Sequence, residues 1–433
     1  MKYLLVIGDG MADDPIPELD GKTALQYAKI PTMDKLASAG VIGTVLTVPE
    51  GMPAGSDTAM LSIFGYDPNC FYSGRAPIEA VAAGISLSSG DIAYRCNMIT
   101  IEDGDIPFEE KKILSHSADA ISADESDALI RDLFEMPDFS KAAKSAKIKI
   151  YPGSSFRHLA VQSSSGIIDM ILTPPHDHLG ESLGRHLPKD KAKQDIEVTN
   201  EPCNKRIVKR TDNKSCAAIL DSLIRLSHDL LDDHPINKKR REEGKLPANC
   251  IWFWAEGTAI ELPNFEKRYG KSGSVISAVP LCRGIAMLIG LERIIVEGAT
   301  GELYTNYEGK VNAAIKALKT KDFVTVHIEA PDECTHNGEL KGKVQAIKWV
   351  DSKVIKVLLE KLEENKTDFR MLVMSDHRTL ISTRGHDGGP VPYILYDSRY
   401  DSENKLCFNE EDAKHGKHIT KGTKLMNILF ESL

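Results

Sequence analysis

Short apolar runs that end in polar clusters set the pattern of this chain. Tyr3 to Ile7 runs into Gly8-Asp9-Gly10, Phe323 to Ile328 stops just before Pro331-Asp332, and Met371 to Met374 runs into Ser375-Asp376-His377. Continuous runs of this kind suit strands buried on both faces, as in a parallel sheet. Helical stretches lie between them. Pro31 to Ala39 starts with Pro-Thr and ends at Gly40, while Lys310 to Leu318 and Val344 to Leu362 carry apolar residues three and four apart. Strand–helix alternation at both ends of the chain predicts a doubly wound α/β core.

The middle has a different texture. From about Cys70 to Asn200 the apolar runs are shorter, the acidic run Ser117 to Asp127 suits a solvated helix face, and the tract 187–195 (LPKDKAKQD) suits an exposed connection. This predicts an inserted α+β cap domain over 70–200. The core then comprises 1–69 and 201–433, resuming with a helix Ser215 to Leu231 and a strand Cys250 to Trp254. A chain of 433 residues exceeds what one hydrophobic core usually organises, in keeping with two domains.

Net charge is −9, so no global basic field favours nucleic acid, and a polyanionic substrate needs a locally basic pocket. The eight cysteines include no C-x-x-C pair, and reduced, buried thiols are expected. The N-terminal apolar run is shorter than a signal peptide requires, and no apolar run approaches membrane-spanning length. A cytoplasmic protein without membrane or nucleic-acid partners is expected; the oligomeric state is left open.

In a parallel sheet, ligands bind outside the carboxyl ends of the strands. Three such ends deliver acids or histidines: Asp9, then Asp332 with His336, then Asp376 with His377. Mixed Asp and His donors suit Zn or Mn better than Mg or Ca. Asp332 and His336 are four residues apart, so one helical turn puts them on one face. His386 follows in TRGHDGGP, where glycines allow a loop to fold back. Ser56 in PAGSDTAM is the candidate nucleophile: Gly55 permits an unusual turn, and a helix beginning there would offer amide donors and the positive dipole end. The plainer alternative is that Ser56 or Asp57 merely caps that helix.

Arg75 and Arg157, each after a turn, can bind phosphate or carboxylate through a guanidinium fork. His158 adjoins Arg157. His176, Asp177 and His178 in TPPHDHLG can form a third metal site, although prolines beside histidines suit a substrate-contacting loop better. Arg283, one turn into a predicted helix after Pro280, can face a phosphate. His116, His186, His228, His234, His415 and His418 read as surface or capping residues, and His327, within a strand, as a satisfied core histidine.

These segments resemble the archaeal-type cofactor-independent phosphoglycerate mutases of the alkaline phosphatase superfamily. The resemblance rests on VIGDGMADDP (6–15), PTMDKLASAG (31–40), GSDTAMLSIFGYDP (55–68), SGRAPIEAVAAGI (73–85), FRHLAV (156–161), TPPHDHLG (173–180), VISAVPLCRGIA (275–286), EGATG (297–301), DFVTVHIEAPDECTHNG (322–338) and MSDHRTLISTRGHDGGPVP (374–392). It implies an alkaline-phosphatase-like core and a small phosphorylated metabolite as partner, the enzyme being a glycolytic isomerase. It implies two divalent ions, one held by Asp9, Ser56, Asp376 and His377 and the other by Asp332, His336 and His386. Ser56 would take the phosphoryl group and return it to the other hydroxyl of glycerate, which the inserted domain holds through Arg75, Arg157, His158, His176 and Asp177. Arg283 stands where the family pattern has Lys. CIWFWAEG (250–257) is closer to a bacterial branch proposed to be homoserine kinases, which makes a homoserine kinase-like phosphotransferase, or a metal-dependent phosphatase, the alternative.

Overall fold

A computed structural model describes residues 1–163, 168, 170–191, 196–201, 204–208, 216–400 and 404–431, the segments 196–201 and 204–208 by backbone alone. Two compact units emerge, one of residues 1–72 with 261–433 and the other of residues 73–260.

The first unit is built on an eight-stranded sheet. Its strands are β1 (Lys2–Gly8), β2 (Val41–Val45), β3 (Gly273–Ile276), β4 (Glu292–Ile294), β5 (Phe323–Ile328), β6 (Phe369–Met374), β7 (Val391–Asp397) and β8 (Lys417–Ile419), ordered β4-β3-β5-β1-β6-β7-β2-β8. All run parallel except β7, which is antiparallel to both neighbours. Strands β5 and β6 are buried at every position, as their mostly apolar, non-alternating runs predict. In register, Ile7 pairs with His327 on one side and Met374 on the other, so the segments after β1, β5 and β6 leave the sheet at one level.

Helix α1 (Pro31–Ala39) has the expected bounds. Its N-terminus has no local side-chain cap; the buried Asp351 carboxylate accepts from the Met33 N–H at 2.7 Å instead. Asp351 lies in a π-helical turn, Val350–Ile355, that interrupts the helical run Leu340 to Glu364. The extra residue of that turn breaks the regular helix expected over Val344 to Leu362.

The second unit has an antiparallel sheet in which Ile92–Ile101 lies between Cys250–Thr258 and Arg157–Gln162, with Ile148–Tyr151 at the edge. The cap therefore runs to residue 260, and the expected return to the core at 201 is corrected. Cys250–Thr258 pairs with Ile92–Ile101, and helix Cys216–Leu231 buries Leu220, Leu223, Ile224 and Leu231 in the same core. An apolar run buried on both faces looks alike in either sheet, so only its partner strand reveals where it belongs. The acidic run is also not one helix. Ala118, Asp119 and Ala120 have positive φ, and the helix starts at Ala123 behind the Ser122 cap.

Cys96, Cys250, Cys282 and Cys334 are buried and outside any disulfide, Cys216 is partly buried and Cys407 is exposed. Cys203 lies outside the described residues, as does 192–195 of the polar tract.

Lys343 ties the loop after β1 to the segment after β6. It is fully buried, and its Nζ donates to Asp13 Oδ2 and to the Thr379 carbonyl, both at 2.6 Å. Removing one partner of such a pair strands a buried charge. Lys343→Met is expected to lower unfolding stability by about 3–5 kcal/mol in denaturant titration, and the double variant with Asp13→Ala to recover part of that loss.

Candidate metal centre and nucleophile

The turn after β1 is made by Gly10, whose φ is +63°; a Cβ there would stand 2.5 Å from Thr379 Oγ1 and 2.8 Å from Asp332 Oδ1. Only glycine lets the chain turn at this point and still admit Asp332. Asp9 is thereby left buried beside Asp376, which follows β6 and is also buried. Ser56 is the first residue of helix α2 (Ser56–Ile63), with Gly55 in the cap position. Gly55 is extended, at φ 174°, so no unusual turn is made there; the local limit is space, since a Cβ would meet Asp57 Oδ1 at 3.0 Å.

Hydrogen bonding assigns the tautomer of His377. Thr379 Oγ1 donates to Asp332 Oδ1 at 2.6 Å, and His377 Nδ1 lies 3.2 Å from that hydroxyl and 3.3 Å from the Arg378 carbonyl. Both partners are acceptors toward Nδ1, so Nδ1 carries the proton and Nε2 a lone pair. Around Nε2 stand Ser56 Oγ at 3.1 Å, Asp9 Oδ1 at 3.4 Å and Asp376 Oδ2 at 3.4 Å. Asp9 Oδ1 and Asp376 Oδ2 are buried with no hydrogen-bond partner. Four donor atoms thus converge, two of them carboxylate oxygens without a hydrogen-bond partner. A cation would satisfy them together.

A second cluster repeats the device. His336 Nδ1 lies 2.8 Å from the Arg384 carbonyl and His386 Nδ1 lies 3.2 Å from that of Ala54, so both Nδ1 atoms donate and each Nε2 is aimed at Asp332. The two Nε2 atoms face each other at 2.9 Å, with Asp332 Oδ2 3.2 Å from His336 and Oδ1 3.5 Å from His386. Asp332 and His336 lie on one turn of helix Ala330–His336. His386 sits not in a loop but in a hairpin strand, Gly385–Asp387, paired with Arg378–Leu380.

Electrostatics agree with that arrangement. Burial, then the charges of Asp376 and Asp332, push the Asp9 carboxyl well above its ordinary range. Burial also opposes ionisation of Asp332, yet hydrogen bonds with His336 and His386 hold it well below that range. The Asp332 hydrogen bond in turn holds His336 up to about 9. A divalent ion among the same atoms would supply the positive charge that these shifts call for.

His327 is the functional residue the sequence hid. It is buried and satisfied, as a core histidine should be, but its Nε2 partner is Asp9 Oδ2 at 3.2 Å. An apolar strand pattern conceals a polar side chain whose partner lies on the neighbouring strand.

Among the remaining candidates, the second unit brings together Arg157 and His176. Arg157 is exposed, its guanidinium over the Phe156 ring at 4.6 Å. The His116 ring meets Phe156 at 5.6 Å and His176 at 5.9 Å, and His176 meets Trp254 at 5.0 Å. Arg95 lies over Trp254 at 4.7 Å. His116 therefore belongs to this cluster and not to an ordinary surface, and Trp254 and Arg95 join it from the pairing of their strands. Asp177 is exposed, 3.6 Å from His176.

His158 is a correction. Successive strand residues face opposite ways, so Arg157 points out and His158 into the core. Its ring nitrogens are taken by Ser126 Oγ at 2.8 Å and the Gly153 N–H at 3.1 Å, and burial lowers it to about 4. Arg75 is engaged with Glu79, which Arg95 shares. Arg283, in helix Pro280–Leu288 of the first unit, donates to the Ala278 carbonyl at 2.6 Å. His178, with Glu181 and His186, does form a cluster, but the two imidazoles stack at 3.9 Å and 18°. Lone pairs in near-parallel planes cannot share one in-plane ion, so the cluster is a hydrogen-bonded staple centred on Glu181.

Comparisons with known proteins agree on one family. The model of 2,3-bisphosphoglycerate-independent phosphoglycerate mutases matches residues 37–237. The Methanosarcina acetivorans protein of that name is 43% identical over 99% of both chains, and the Geobacter sulfurreducens protein named as a probable one is 39% identical over 100% of both. The solved structure of a Pyrococcus horikoshii protein superposes with a TM-score of 0.76 at 30% identity, covering 99% of this chain and 96% of the other. The cofactor-independent phosphoglycerate mutase of Thermoplasma acidophilum shares the fold, with a TM-score of 0.64 at 23% identity and 99% coverage of both. The chain therefore belongs to the 2,3-bisphosphoglycerate-independent phosphoglycerate mutase family.

Proposed function

We propose that this protein interconverts 3-phosphoglycerate and 2-phosphoglycerate through a phosphoserine at Ser56. The observation that carries the proposal is the convergence of Ser56 Oγ, His377 Nε2 and the two partnerless oxygens, Asp9 Oδ1 and Asp376 Oδ2. Two divalent ions fit, one among Asp9, Ser56, Asp376 and His377, the other among Asp332, His336 and His386. Three imidazoles favour Mn or Zn over Mg. When bound, such ions supply positive charge that lowers the pKa of a hydroxyl and offsets charge on phosphoryl oxygens.

Ser56 Oγ attacks phosphorus, its bond to the 3-oxygen of glycerate breaks, and phosphoserine forms. The 2-hydroxyl of the same glycerate then attacks, and Ser56 is regenerated. The amides at the start of α2 stabilise the transferring oxygens. Arg157 and His176 are proposed as contacts for the anionic substrate, with Asp177, Arg75 and Arg283 as further candidates, and the cytoplasm as the setting. No helix among the described residues is long and apolar enough to cross a membrane.

Ser56→Ala is expected to lower kcat by on the order of 10⁴-fold or more in a coupled 3-phosphoglycerate assay, with the melting curve little changed. Parallel assays for phosphate release and homoserine phosphorylation should stay negative with the wild-type protein; activity there without mutase turnover would overturn the proposal. Arg157→Ala should reduce kcat/KM by about 10–100-fold, the loss of one charged hydrogen-bonding partner.

Metal binding should release protons, because His336 must lose the one it holds up to about 9. Below that pH the apparent affinity of its site should fall by about tenfold per pH unit. Calorimetry at neutral pH in two buffers of different ionisation enthalpy measures the release, and a pH-independent affinity would contradict it.

A further inference from the structure

We propose that His327 is a positioning residue that holds one oxygen of Asp9 so that the other faces the metal centre. It rests on the metal-site reading above but not on the identity of the substrate. His327 is the last residue but one of β5, and its ring meets three groups: Nδ1 lies 3.2 Å from Ser277 Oγ, and Nε2 lies 3.2 Å from Asp9 Oδ2 and 3.9 Å from Cys282 Sγ. Ser277 Oγ already accepts the Val279 N–H at 3.0 Å. If His327 donated from Nδ1, the serine proton would have no acceptor among the described hydrogen bonds, and with a metal-binding, ionised Asp9 the Nε2 lone pair would oppose Oδ2. With Ser277 donating to Nδ1 and Nε2 donating to Asp9 Oδ2, every proton has an acceptor.

That assignment divides the labour of the Asp9 carboxylate. Oδ2 is held by His327, while Oδ1 is partnerless and stands 3.4 Å from His377 Nε2. The support is itself anchored. Buried Lys310 donates from Nζ to the His327 carbonyl at 3.0 Å, and the Asp9 N–H donates to the neighbouring Ile328 carbonyl at 2.8 Å. A carboxylate held at one oxygen by a fixed N–H keeps its orientation without an ion, which is how outer hydrogen bonds raise metal affinity.

The test is Mn²⁺ binding to the full-length protein, by competition with a chromophoric chelator, with stoichiometry counted. His327→Leu removes the donor and should weaken one of the two sites by about 10–100-fold, leaving the other unchanged. His327→Gln places an amide N–H near the position of Nε2 and should restore affinity to within a few-fold of wild type. Saturating Mn²⁺ should recover most of kcat in His327→Leu, which a collapsed fold would not allow. Unchanged affinity in His327→Leu would overturn the proposal. So would a folded His327→Gln protein that lost the site as fully as His327→Leu, since His327 would then be a ligand. If His327→Leu does not fold, Ser277→Ala provides the test: by freeing the imidazole to flip its tautomer it should weaken the same site measurably, and wild-type affinity would overturn the proposal.

Discussion

Three carboxylates buried together beyond the ends of adjacent strands cannot all remain ionised without positive charge among them. Asp9, Asp332 and Asp376 meet this constraint in three ways. His336 and His386 hydrogen-bond Asp332 and hold it ionised, that contact raises His336 in turn, and Asp9 is pushed toward its neutral form. The resulting site is electrostatically poised: the polypeptide provides donors and withholds counter-charge. Divalent ions would relieve the repulsion and convert orphaned oxygens into ligands.

The scaffold exists to hold that unfavourable arrangement. Strands β1, β5 and β6 are adjacent and in register, so their carboxyl ends bring the acids to one level. Gly10 lets Asp332 approach, and Lys343 locks the loop after β1 to the segment after β6. Carbonyls of Arg378, Arg384 and Ala54 accept from Nδ1 of the three site histidines and so aim each Nε2 inward. These backbone contacts carry no sequence signature, yet they decide what the histidines can do.

The second unit follows another logic. Its cluster of Arg157, His176, His116, Trp254 and Arg95 sets two guanidinium groups against aromatic faces, with Trp254 buried and Arg157 and His176 exposed. His158 shows how strand alternation separates neighbours in sequence, sending one to solvent and the next to the core.

By itself the sequence determined the parallel core, the Pro31–Ala39 helix and the residues gathered at the first unit's site, because burial on both faces and acids after strands leave a local imprint. The Asp332–His336 spacing was legible for the same reason, since helical geometry fixes a four-residue contact. Non-local contacts decided the rest. The allegiance of Cys250–Thr258 depends on pairing with Ile92–Ile101, more than 140 residues away in the chain. The Asp351 cap on α1, the tautomers of the site histidines and the hold of His327 on Asp9 likewise join groups whose partners no local pattern names. A side chain's type restricts what it can bind, but its partners set its protonation and direction, and those partners come together only when the chain folds.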